Sequence, residues 1–167
     1  MVSKETSILN DLKKTIIISV SISILFLKCF CFSIVNGNSM NKTLQDGDKL
    51  LISTLYYHIA QPQYKDIIIA EMDDLPNKYI VKRVIGREGD KVSIQNNQLY
   101  INGELIEEDY ISEKMDTDDI EVTVPDGKVF VMGDNRNHST DSRSKEIGMI
   151  DIEHIYGKEV VNLNKII

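Results

Sequence analysis

The apolar positions of this chain fall into two regimes. From Thr15 to Val35 they are almost continuous, reading TIIISVSISILFL as far as Leu27 and resuming at Cys29 after the single charge of Lys28. A 21-residue stretch of this kind is long enough for one helix to cross a bilayer. Lys28 lies toward its end, where a long side chain can snorkel to the headgroups. The pattern predicts a transmembrane anchor over 15–35, between a cytoplasmic tail of residues 1–14 and a domain of residues 36–167. Beyond Val35 the period shortens to β-rich runs: Lys49 to Tyr57, Asp66 to Met72, Tyr79 to Arg87, Lys91 to Ile94, Leu99 to Ile101, Glu104 to Ile106, Lys128 to Met132 and Ile155 to Leu163. Turn signals separate them, notably Asn96-Asn97 and Asn102-Gly103, the latter a strong hairpin signal. The reading is an all-β domain behind one N-terminal helix.

Charge divides the chain at the same place. Residues 1–35 carry four lysines against Glu5 and Asp11, a sum of +2, which leaves 15 basic and 24 acidic residues, or −9, for residues 36–167. A domain of that sign repels a phosphate backbone and so opposes sequence-independent nucleic-acid binding. Lys4, Lys13 and Lys14 favour a cytoplasmic N-terminus and an extracytoplasmic domain, with Lys28 on the far side opposing them. A cleavable export signal begins similarly, but Lys28, Phe30 and Phe32 crowd the place where its small-residue cleavage site would fall. Cys29 and Cys31 are too close for an ordinary disulfide and read as small hydrophobes. The β domain holds no cysteine, which excludes thiol and Cys-based zinc chemistry there. His58, His138 and His154 show no metal-ligand spacing. Glu104 to Glu121 holds nine acidic residues and one lysine and reads as a solvated loop, without the glycine and terminal glutamate of an EF-hand.

Three clusters carry chemistry. The first is Gly37-Asn38-Ser39-Met40, directly after the apolar segment; an unassisted serine hydroxyl is a poor nucleophile. The second runs from Tyr79 through Lys82-Arg83 to Gly86 and Gly89-Asp90. With a strand's period of two, Lys82 shares a face with Ile80 and Val84, an apolar setting that favours a neutral amine. The third, Gly133-Asp134-Asn135-Arg136-Asn137-His138-Ser139-Thr140-Asp141-Ser142-Arg143, follows an apolar strand and is dense enough in hydrogen-bonding groups to form a buried polar network.

In this order, just outside one predicted span, the clusters closely resemble the bacterial-type signal peptidase I family, the membrane-bound Ser/Lys proteases. The likeness covers nearly the whole chain. It implies a signal-peptidase-like β catalytic domain in which Ser39 is the nucleophile, Lys82 the general base and Ser139 the hydroxyl that orients the lysine. Asp141 and Arg143 then match a structural ion pair, Met40 packs beside the serine, and Arg83, Asp134, Asn135 and Arg136 form the scaffold. Gly37 occupies a position where some members supply a hydroxyl to the oxyanion. The implied partners are the signal peptides of exported preproteins and membrane lipid, with no nucleic acid and no metal or organic cofactor. Lys42 and Glu88 stand where the family usually has proline, which predicts looser turns there. Three alternatives compete. A self-cleaving regulator protease is opposed by the anchor. A catalytically silent, membrane-tethered binding protein of the same fold is opposed by the retention of Ser39 and Lys82. A Ser-His enzyme would use His138, and replacing that residue discriminates it.

Overall fold

The structure is a computed structural model and describes residues 2–72 and 78–166, except for the side chains of 2–7 and 9. Helix α1 spans Val2–Cys29. After it the sequence changes to Phe-Cys-Phe-Ser-Ile, and the chain becomes strand β1, Phe30–Ile34. β1 pairs antiparallel with β2, Lys49–Ser53, from Phe30↔Ser53 to Ile34↔Lys49. A single helix over 15–35 is thereby corrected, since its last residues belong to the sheet. Among the described residues no helix is long and apolar enough to cross a membrane. The reason is charge placement: Lys13, Lys14 and Lys28 confine the uncharged run to Thr15–Leu27, about 20 Å of helix at 1.5 Å per residue.

A short helical turn, α2 (Tyr56–Ile59), follows β2 where the sequence pattern suggested continued strand. Then come β3 (Ile67–Glu71), β4 (Tyr79–Arg87), β5 (Lys91–Gln95), β6 (Gln98–Ile101) and β7 (Glu104–Leu105). The remainder comprises β8 (Ile120–Thr123), β9 (Lys128–Met132), β10 (Ile150–Asp151) and β11 (Ile155–Asn162). They form two antiparallel sheets, ordered β1-β2-β11-β3-β4-β9-β10 and β7-β6-β5-β8. The hairpins fall where the turn residues predict: Asn96, Asn97, Asn102 and Gly103 all take positive φ, as tight hairpin loops require.

β4 and β5 link the sheets. Gly86 makes the junction possible, because a Cβ there would collide with the Val92 side chain. Ile85, Val92, Ile94, Leu99, Phe130 and Met132 fill the space between the sheets, joined by Met115 from the acidic segment. A separate core of Val35, Met40, Leu44, Leu50, Ile52, Ile67 and Ile69 lies beneath the first sequence cluster. This core fixes the height of the turn that carries Ser39.

Candidate active site

The loop from β1 to β2 is closed at its base by Val35 N–H donating to the Asp48 carbonyl at 2.8 Å and Gly47 N–H to the Val35 carbonyl at 2.9 Å. Inside it, Met40 and Leu44 point into the core, each 1% exposed. Anchored on that side, the turn leaves Ser39 half-buried at the rim. Gly37 has φ +96°, a region that side chains make costly, and its N–H donates to Asp46 Oδ1 at 2.8 Å. The Ser39 N–H donates to no group among the described residues. Beside Lys42, where the family usually has proline, Thr43 accepts two hydrogen bonds. Arg83 Nη2 donates to Thr43 Oγ1 at 3.4 Å, and Lys165 Nζ to the Thr43 carbonyl at 2.7 Å. At the other lost proline, Glu88 Oε2 accepts from Gly127 N–H at 3.0 Å.

Strand β4 brings Lys82 to the serine. Cross-strand pairing with Ile68 of β3 sets its register, and the residue is 5% exposed. Its Nζ donates to Ser39 Oγ at 2.8 Å. Burial is the largest influence on its pKa and lowers it below the ordinary 10.5; the Asp141 carboxylate opposes that shift and the Arg143 guanidinium adds to it. An amine poised toward neutrality against a hydroxyl is the arrangement that proton abstraction needs.

The third cluster encloses the pair. β9 ends at Met132, and Gly133 sits so tightly that a Cβ would meet the Ser139 side chain and the Ser39 carbonyl oxygen. Asn135 N–H donates to that carbonyl at 3.0 Å, and Asn135 Nδ2 to the Asn38 carbonyl at 3.0 Å. Asp141 accepts from Gly133 N–H at 2.9 Å and pairs with Arg143 through two bonds of 2.8 Å. Arg83 and Asp134 form a second buried pair at 2.7 and 2.6 Å. One implied contact is not made: Ser139 Oγ is buried without a hydrogen-bond partner among the described residues, so it does not bond Lys82 here. The sequence also hid two participants, Glu108 and Tyr110. Glu108 binds Arg136 through two bonds of 2.6 Å, and Tyr110 lies 4.2 Å under the Arg83 guanidinium. A charge count signals the first of these. Arg83, Arg136 and Arg143 outnumber Asp134 and Asp141, so one buried guanidinium needs a carboxylate from elsewhere.

A groove of about 550 Å³ runs past Ser39 and Lys82, walled by two stretches of chain, 33–40 and 78–82, with Ile69, His138 and Thr140 completing its lining. β9 pairs with β4 only from Arg83 onward, so Tyr79–Lys82 have β3 on one side and no strand among the described residues on the other.

Residues 9–163 match the protein family described as signal peptidase, peptidase S26. A signal peptidase I of Bacillus licheniformis is 39% identical, over 86% of this chain and 82% of its own. Signal peptidase I S of Bacillus subtilis (strain 168) is 38% identical, over 93% and 89%. The crystal structure of a signal peptidase I from Enterococcus faecalis V583 superposes with a TM-score of 0.53 at 33% identity, covering 60% of this chain and 97% of that one. With its mostly β architecture and its three motifs in order, the chain belongs to the signal peptidase family, peptidase S26.

Proposed function

We propose that this chain is a serine endopeptidase that removes signal peptides from exported preproteins, with Ser39 as nucleophile and Lys82 as general base. The observation that carries the assignment is the 2.8 Å contact between Lys82 Nζ and Ser39 Oγ at a buried lysine. Neutral Lys82 accepts the hydroxyl proton as Oγ adds to the scissile carbonyl carbon. The Ser39 N–H, unengaged among the described residues, donates to the oxyanion. Gly37 N–H is held by Asp46 and so is not free to donate beside it. Collapse breaks the C–N bond, and the Lys82 ammonium protonates the departing amine of the mature chain. Water then hydrolyses the acyl-serine with Lys82 again as base, releasing the signal peptide's carboxylate. The open edge of Tyr79–Lys82 suits a substrate bound as an extended strand. The remaining role residues are second to this pair: Met40 seats the turn, while Arg83–Asp134 and Asp141–Arg143 hold the flanking loops.

The proposal includes a membrane tether. Ile16, Ile17, Ile22, Leu25 and Leu27 of α1 are each more than half exposed, an apolar surface that water does not tolerate on a monomer. The apolar run is short for a span. Lys14 and Lys28 lie about 21 Å apart along the helix axis, and snorkelling at both ends brings their charges to the two headgroup layers. The N-terminal tail of residues 1–14 is then cytoplasmic and the β domain extracytoplasmic. Tethering raises the effective concentration of the site where signal-peptide junctions emerge.

The test is cleavage of a preprotein with small residues at −1 and −3, by detergent-solubilised wild type beside Ser39→Ala and Lys82→Ala, with folding checked by circular dichroism. Wild type cuts at the signal junction and both folded variants are silent. A folded wild type that leaves several preproteins intact contradicts the assignment and favours the binding-protein alternative. His138→Ala, beside them, retains turnover unless the base is histidine.

A further inference from the structure

The acidic segment between β7 and β8 is solvated along most of its length, as its composition predicts, but it is pinned to the domain at two points, Glu108 and Met115. Met115 is 2% exposed in the intersheet core, and Asp116 N–H and the Lys114 carbonyl bond the Asn137 side chain at 2.8 and 3.0 Å. Glu108 carries the centre of this strap. Its side chain is 6% exposed and that of its partner Arg136 0% exposed, while Tyr110 O–H donates to Glu108 Oε1 at 2.7 Å. Tyr110 in turn lies under Arg83, the residue next to Lys82 in β4.

From Glu108 the contacts lead to the nucleophile in three steps, the first being its bond to Arg136. Arg136 Nε donates to the Gly133 carbonyl at 3.0 Å, and Arg143 Nη2 fastens the Arg136 carbonyl at 2.7 Å. Gly133 has no spare room against the Ser39 carbonyl and the Ser139 side chain, and neighbouring Asn135 bonds the Ser39 carbonyl directly. A guanidinium left buried without its carboxylate must be rehydrated, and moving Arg136 outward draws Gly133 and Asn135 with it. None of residues 104–121 lines the groove that passes Ser39 and Lys82.

We propose that Glu108, braced by Tyr110, is a positioning residue for catalysis: through Arg136 it sets where Gly133 and Asn135 hold the Ser39 backbone against Lys82. The proposal rests on the reading of Ser39 and Lys82 as the reacting pair. Because the strap sits behind the loop and away from the groove, its loss affects the rate of the bound complex rather than substrate capture.

The experiment measures kcat and KM separately for full-length Glu108→Gln in detergent on a peptide spanning a signal junction, at a temperature where near-ultraviolet circular dichroism shows it fully folded. The expected result is a fall in kcat of about 10- to 100-fold, the scale of a misplacement of about 1 Å, with KM within about twofold of wild type. Tyr110→Phe keeps the ring and loses the bond to Glu108, so it moves kcat the same way by less. Asp109→Asn, whose side chain is 88% exposed, leaves both constants unchanged. An unchanged kcat in folded Glu108→Gln overturns the proposal, as does a kcat that returns to the wild-type value on cooling, since the strap then only stabilises. Should Glu108→Gln not fold, Tyr110→Phe decides, and a wild-type kcat there overturns the proposal. Ser39→Ala runs alongside. If it turns over normally, the reading of the reacting pair fails whatever the strap does; if it is silent while Glu108→Gln is unaffected, only the strap role fails.

Discussion

An ammonium at Lys82 sheds most of its hydration, because the residue is 5% exposed and faces a serine hydroxyl rather than a carboxylate. Burial lowers its pKa from the ordinary 10.5 in the folded protein, while the unfolded chain keeps that ordinary value. Between the two values the unfolded state binds more protons, so stability rises with pH across this window. The group's contribution is complete above 10.5 and is lost as pH falls through the folded value. Calorimetry across pH checks the consequence: Lys82→Met melts higher than wild type near neutrality, and the gain shrinks as pH approaches 10.5. A gain that grows with pH contradicts it. The buried pair of Arg83 and Asp134 behaves differently, because removing one partner strands a charge. Asp134→Ala is expected to lose about 3–5 kcal/mol in denaturant unfolding, whereas replacing both residues by apolar ones of similar size loses much less.

Among the elements, the turn after β9 is the least tolerant of change. Gly133→Ala places a methyl group against the Ser39 carbonyl and Ser139, so kcat for a junction peptide falls by at least about 100-fold. Wild-type kcat in that variant would show that the loop can yield. The same turn shows how far the sequence could be read. Its dense polar motif marked Asp134, Asp141 and Arg143, and the period of two in Tyr79 to Arg87 placed Lys82, beside Arg83, in an apolar setting. Strand β1 was hidden because Phe30–Ile34 continues the apolar run of α1, and hydropathy alone does not separate a strand from the end of a span. β8 was masked by the acidic residues around Ile120–Thr123, although Ile120 and Val122 alternate with polar neighbours as a half-buried strand should. Glu108 lies 28 residues from Arg136, and no local pattern marks so distant an ion pair. The bond from Ser139 to Lys82 was carried by family likeness alone, and among the described residues that hydroxyl has no partner.

As a whole molecule, the chain joins an acidic β domain to a basic-flanked apolar helix that covers little of it. Deleting residues 1–28 is therefore expected to leave hydrolysis of a short soluble junction peptide within about threefold of the full chain. Processing of a preprotein inserted in vesicles falls by about 100-fold or more, the effective-concentration advantage that a tether supplies. Flotation with lipid vesicles separates the causes: the full chain floats and the truncated chain stays with the soluble fraction. Equal processing by both forms contradicts the tether.

Titrating Lys82 with ¹³C-labelled lysine in NMR, beside the pH profile of kcat/KM, asks whether a buried neutral Lys82 activates Ser39. The expected result is that one resonance, absent in Lys82→Met, titrates below 10.5 and that the acid limb of kcat/KM follows the same value. A Lys82 resonance titrating at its ordinary value, or an acid limb that moves independently of it, rules out Lys82 as the base for Ser39.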